Sequence, residues 1–165
     1  MLGLTGAAED PQIVFPGLAY RSRVLLATGD RAETVPLIEE LLERLRSSRS
    51  SFVSFWAMPL AVVLTGLGRP GELEAVAQNA IMSNRWLDAA RAYAAGAFEE
   101  AVHILADMGA IPDEAFVRVR AAEALVDAGR RAEADDELQR ALAFYRSVGA
   151  TAYIREAESL FAASA

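Results

Sequence analysis

The chain has 165 residues, a net charge of −7 and a sequence pI near 4.8. It holds 34 alanines, sixteen arginines with no lysine, one histidine and no cysteine. These counts exclude thiol catalysis, disulfides, lysine-dependent phosphate loops and any site that needs two imidazoles. The acidic balance offers no global basic footprint for nucleic acid. The length suits one domain with a real core. Alanine loses no side-chain entropy in a helix and buries no polar group, so the composition leans all-α.

Residues 1–9 are small and polar without a period, and read as a flexible lead-in to a domain spanning 10–165. No basic run precedes an apolar stretch there, so no secretory signal is expected. Asp10-Pro11 is an N-cap followed by a first-turn proline, opening a helix that runs to Gly29 with a kink or restart at Pro16. Asp30, with Glu33 three residues on, caps a second helix whose apolar face is Val35, Ile38, Leu41, Leu42 and Leu45. Ser47 to Ser51 reads as a loop. Phe52 to Leu67 is a third helix, apolar nearly all round and therefore central, kinked at Pro59. Ser54, Pro59, Thr65 and Gly66 interrupt it, and it falls short of the ~20 residues a membrane span needs. A cytoplasmic protein with no membrane partner is expected.

A short fourth helix runs from about Gly71 to Ala80. Asn84 starts a fifth, ending at Gly96. Phe98 to Met108 is a sixth, and Pro112 opens a seventh that ends at Gly129. Arg130 to Val148 is an eighth, and Thr151 can cap a ninth that runs to the C-terminus. A glycine just past a helix suits the left-handed position that ends it. No alternating segment stands up as a strand.

The chain also repeats itself. Aligning Gly96 with Gly129 matches Ala89 with Ala122, Ala101 with Ala134, Leu105 with Leu138, and Met108 with Ala141. Gly29 gives a looser copy with Ser22, Thr34, Ile38 and Leu41, and Gly68 the loosest. Small residues on both sides of a turn let two antiparallel helices cross closely. The spacing is within a residue of the roughly 34-residue tetratricopeptide period. Residues 11–148 thus resemble the tetratricopeptide-repeat (TPR) family and its looser relatives. The resemblance implies a right-handed α-solenoid of about four hairpins with the ninth helix as a cap. The runs Leu125 to Asp135, Leu138 to Thr151 and Ile154 to Glu158 resemble the C-terminal TPR-like tails of bacterial cyclase–ATPase and LuxR-type regulators. That resemblance implies a regulatory context and carries no catalytic residue across.

Gly66, Gly68 and Gly71 match G-x-G-x-x-G, but a dinucleotide fold needs a second strand ending in an acid about 20 residues on. Ile81 to Asp88 reads as a helix start instead, so the motif reads as an interhelix turn. His103 shares a helix face with Glu99 and Asp107. That trio is either a metal or acid–base site or a solvated face. Ala101, Leu105 and Met108 take the packing side, which turns His103 outward. Glu40–Arg44, Glu114–Arg118 and Asp136–Arg140 are i,i+4 pairs on charged faces. Acids follow Arg130-Arg131 where a DNA-reading helix would add bases, so no nucleic-acid partner is expected.

In a TPR-like stack the first helix of each hairpin lines the concave face. The register then assigns Arg23, Met58, Val62, Trp86, Tyr93, Val119, Glu123 and Asp127 to that face. Arg23, Met58, Trp86, Tyr93, Glu123 and Asp127 are the candidate partner-binding residues, since Trp, Tyr, Met and Arg are enriched at interfaces. The alternative is that Trp86 and Tyr93 pack between repeats. The expected role is a non-catalytic protein-interaction or scaffold module with a protein or peptide partner, no cofactor and no metal. Two alternatives stay open. One is a small-ligand binder or enzyme with a deep interhelical pocket near Trp86 or His103. The other is a structural homodimer formed through the apolar third helix and the irregular first repeats.

Overall fold

In a computed structural model the described residues are 10–47, 55–78 and 84–162. The expectations for residues 1–9, for the serine-rich loop beyond Ser47, for the beginning of the third helix, for residues 79–83 and for the last three residues of the ninth helix lie outside them. The described residues form nine helices and no strand. These are α1 (Pro11–Ala27), α2 (Arg31–Ser47), α3 (Ala57–Gly66), α4 (Glu72–Ala77), α5 (Arg85–Ala94), α6 (Phe98–Asp107), α7 (Ile111–Asp127), α8 (Arg131–Ser147) and α9 (Thr151–Ala162). None of the described helices is long and apolar enough to cross a membrane. Contacts group the chain into two compact units, Met1–Ala95 and Gly96–Ala165.

The expected helix starts are met by side chains. Asp10 accepts from the Gln12 amide at 2.9 Å, Asp30 from Glu33 at 3.1 Å and Asn84 from Leu87 at 3.1 Å. Each satisfies one amide that has no partner inside its helix. Six of the nine described helices stop at glycines. Gly29, Gly68, Gly96, Gly109, Gly129 and Gly149 all have positive φ, between 67° and 84°. At five of them the next residue donates back to a carbonyl five positions earlier: Asp30 to Leu25, Arg69 to Leu64, Ala110 to Leu105, Arg130 to Leu125 and Ala150 to Tyr145. A β-carbon at positive φ would crowd the carbonyl, so these turns need glycine.

Of the kink or restart expected at Pro16 the restart does not occur, since α1 continues through it, and α2 continues through Pro36. Each proline removes one backbone bond, and the buried faces beyond it (Ala19 and Ser22; Ile38, Leu41 and Leu42) hold the later turns in place. Pro59 is the third residue of α3, in the first turn, where its missing N–H would have had no helical partner anyway. Thr151 is the first helical residue of α9 rather than a cap before it.

In the first unit α1 packs on α2 and α3, and α3 also packs on α4 and α5. Every residue from Ala57 to Leu64 is buried. The third helix is therefore central, as its composition predicts, and its apolar surface is spent inside the unit rather than offered to a second copy. Gly66 is where α1 comes close: a β-carbon there would sit 2.6 Å from Leu26 Cδ2. That approach and the positive φ of Gly68 account for two of the three motif glycines as packing and turn residues. Arg69 bridges α2 and α4, with Nη1 2.5 Å from Glu39 and Nη2 2.8 Å from Glu72. That bidentate hydrogen bond holds the Glu72 carboxyl below its ordinary range.

In the second unit α7 packs on α6 and α8, and α9 packs on α8. The small residues expected at close crossings are buried in both units: Ala89, Ala101, Ala122, Ala134 and Ala141, and in the looser copy Ser22 and Thr34. The hairpins α1–α2 and α7–α8 share one register. Each uses two 17-residue helices. The buried set of α2 is Thr34, Ile38, Leu41, Leu42 and Leu45, and that of α8 is Ala134, Leu138, Ala141, Leu142 and Tyr145, the same positions one hundred residues on. Phe15, Ala19 and Ser22 of α1 correspond likewise to Ala115, Val119 and Ala122 of α7.

Candidate interaction surface

The structure divides the six candidate residues by exposure. Met58 and Tyr93 are buried in the core, as are Val62 and Val119. α3 is covered by α1, α4 and α5, so Met58 has no open side. These four are corrected from partner-facing to core residues. The register argument located the helix face but could not show that a neighbouring helix already covers it. Arg23, Trp86 and Glu123 are half-buried, and Asp127 is exposed.

The second unit carries the more developed surface. Along α7, Phe116, Arg120, Glu123 and Asp127 follow one another at helical spacing. The Arg120 guanidinium lies 5.3 Å from the Phe116 ring centre. It also lies 3.1 Å from Glu123 and pairs with Glu156 of α9. Burial pushes the Glu123 carboxyl above its ordinary range. Arg120 opposes that shift, and Glu156 and Asp127 add to it. Two carboxylates thus share one guanidinium, with Asp127 adding negative charge beside Glu123, a surface that favours a further positive charge.

On another face of this unit a groove of about 470 Å³ opens over α7. Ala121, Ala124, Leu125 and Ala128 form its floor, and Glu99, Glu100 and Arg130 its rim. An adjoining hollow of about 370 Å³ includes His103, Arg118, Glu137 and Arg140. The arginines lining both are already engaged. Arg130 reaches Glu133 at 2.6 Å and Glu99 at 3.4 Å. Arg118 lies 2.8 Å from Glu114 and 2.5 Å from Glu137. His103 faces outward as expected, its side chain 80% exposed and 3.8 Å from Asp107. Among the described residues, no group of three or more His, Cys, Asp or Glu is placed to hold a metal ion.

Two residues mean more than their spacing suggested. Arg118 is a buried cation joining α7 to α8 rather than half of a solvated pair. Its signal was the apolar pair Val117 and Val119 flanking a charge, which places the charge at the edge of a helix buried on two sides. Arg140 lies by Glu137, at 3.9 Å, rather than by Asp136. No protein-family model matches the chain, and no curated protein or solved structure matches it.

Proposed function

We propose that this chain is a non-catalytic protein-interaction module built from TPR-like hairpins stacked as a short right-handed solenoid. Support for the architecture comes from the shared register of α1–α2 and α7–α8 and from the glycine-closed turns. Such hairpins cannot bury both faces alone, and stacking leaves the first helix of each hairpin facing a partner. The observation that carries the function is the row Phe116, Arg120, Glu123 and Asp127 on the first helix of its hairpin. It combines an aromatic ring, a cation and unneutralised acid on a rigid element, the mixture that anchors protein interfaces. The partner is a polypeptide segment presenting a basic side chain to Glu123 and Asp127. The resemblance of residues 125–158 to regulator tails makes a bacterial regulatory assembly the natural context.

The test is selection of displayed peptides on the folded protein, followed by calorimetric titration of the selected sequences. Selected peptides should carry Arg or Lys, and E123R or D127R should weaken binding tenfold or more, whereas H103A should leave it unchanged. Peptides that bind equally well to E123R and D127R would refute the assignment of this surface. A metabolite that raises the melting temperature by filling the α6–α7–α8 groove would favour the ligand-binding alternative.

A further inference from the structure

One helix is apolar on the side that faces solvent. α1 buries Phe15, Ala19 and Ser22 on one face. On the opposite face Ile13 and Val24 are 59% and 61% exposed, and Tyr20 and Gly17 are exposed between them. Tyr20 stacks on Phe55, which is exposed as well, widening the patch. Only Gln12 and Arg21 are polar among the exposed residues of α1, whereas the exposed face of α2 is largely Glu and Arg. A helix that is apolar all round is normally covered on both sides. By the shared register Gly17 and Arg21 correspond to Val117 and Ala121 of α7, which are buried in a unit where α6 packs on α7, while Ile13 and Tyr20 correspond to half-buried Asp113 and Arg120 and Val24 to exposed Ala124. The short turn between α6 and α7 makes them antiparallel.

We propose that α1 is the contact of a homodimer, in which the α1 helices of two copies of this chain pack antiparallel about a two-fold axis at Gly17. The order of residues along the helix is self-complementary for this arrangement. Ile13 and Arg21 each lie four residues from Gly17, and Asp10 and Val24 each lie seven. A two-fold axis at Gly17 therefore sets Ile13 against the stem of the partner's Arg21, and Asp10 against the partner's Val24. Asp10 and Arg21 of opposite copies then lie within about one helical turn, close enough for an ion pair. Gly17 has nothing within 4 Å of where a β-carbon would stand, so the backbones can approach at the axis. Ile13, Tyr20, Val24 and Phe55 together expose on the order of 400 Å² per copy, a large patch for a monomer. Doubled and extended by the Gln12, Arg21 and Thr28 rim, it reaches the ~1,000 Å² that a specific interface needs.

Sedimentation equilibrium gives the first readout. The wild type should move with concentration from 17.7 kDa towards twice that mass. I13E/V24E should raise the dissociation constant at least tenfold and R21E several-fold, each with a circular-dichroism melt unchanged at dilutions where the wild type is also monomeric, because the substituted side chains are exposed or peripheral. The absence of cysteine allows a second readout. G17C should form a disulfide-linked dimer under mild oxidation far faster than A143C, on the exposed face of α8. A strict monomer at the highest concentration, equal cross-linking of G17C and A143C, or a dimer that survives I13E/V24E would each overturn the proposal. It does not depend on the peptide-binding reading, because neither variant touches α7.

Discussion

Arg118 offers the sharpest test of how the second unit is held together. Its side chain is 10% exposed, and its partners Glu114 and Glu137 are 19% and 21% exposed. Burial alone would disfavour its charge, yet the two carboxylates hold the guanidinium above its ordinary range. R118A removes the cation and leaves two poorly solvated carboxylates facing each other. Breaking a fully buried pair costs about 3–5 kcal/mol, and the residual solvation of the glutamates brings the expected loss to about 2–3 kcal/mol. For a chain of this size that is roughly 5–10 °C in melting temperature. Replacing the whole triad by R118M/E114Q/E137M removes the charges together and should cost under about 1 kcal/mol, since apolar side chains can fill a buried ion-pair site. Urea unfolding followed by circular dichroism gives the totals, and amide hydrogen exchange should place the R118A loss in α7 and α8. If R118A and the triple variant cost the same, the arginine acts through its aliphatic stem and the electrostatic argument fails.

Three further outcomes follow from the structure. Ser22 is buried with its hydroxyl unpartnered, and the equivalent residue of the second hairpin is Ala122, so S22A should gain about 1 kcal/mol by chemical denaturation. A134L, at a close helix crossing, should cost about 1–3 kcal/mol, whereas A143L on the exposed face of the same helix should stay within about 0.5 kcal/mol. The raised Glu123 carboxyl means that the folded state binds this proton more tightly than the unfolded state does. Its penalty is present at neutral pH and is relieved as pH falls through the raised value towards the ordinary one, so E123Q should raise the melting temperature at pH 7 and lessen the gain on acidification.

Much of the helical framework was legible in the residues themselves. Caps at Asp10, Asp30 and Asn84 and glycines after the helices act within a few residues, and the physics of a helix end is that local. The crossing alanines were legible too, because the repeat showed the same small residue on both sides of a turn. The candidate surface was less so: the register that put Met58 and Tyr93 with Glu123 and Asp127 treats every first helix alike. α3 is enclosed by three helices, whereas α7 leaves one row open, and only the packing distinguishes them.

Pro16 and Pro36 make the same point in the opposite direction. Locally each argues for a break, and burial of the face beyond it keeps the helix whole. The sequence by itself determined that this chain is helical, where most helices end and which small residues stand at the crossings. Each of those depends on backbone sterics and on neighbours within one or two turns. Tertiary structure alone decided which apolar faces are used up, that Arg118 is an internal cation, and that α1 shows solvent a second apolar face. Those outcomes depend on which distant helices arrive to cover a surface, and a side chain carries no local mark of that.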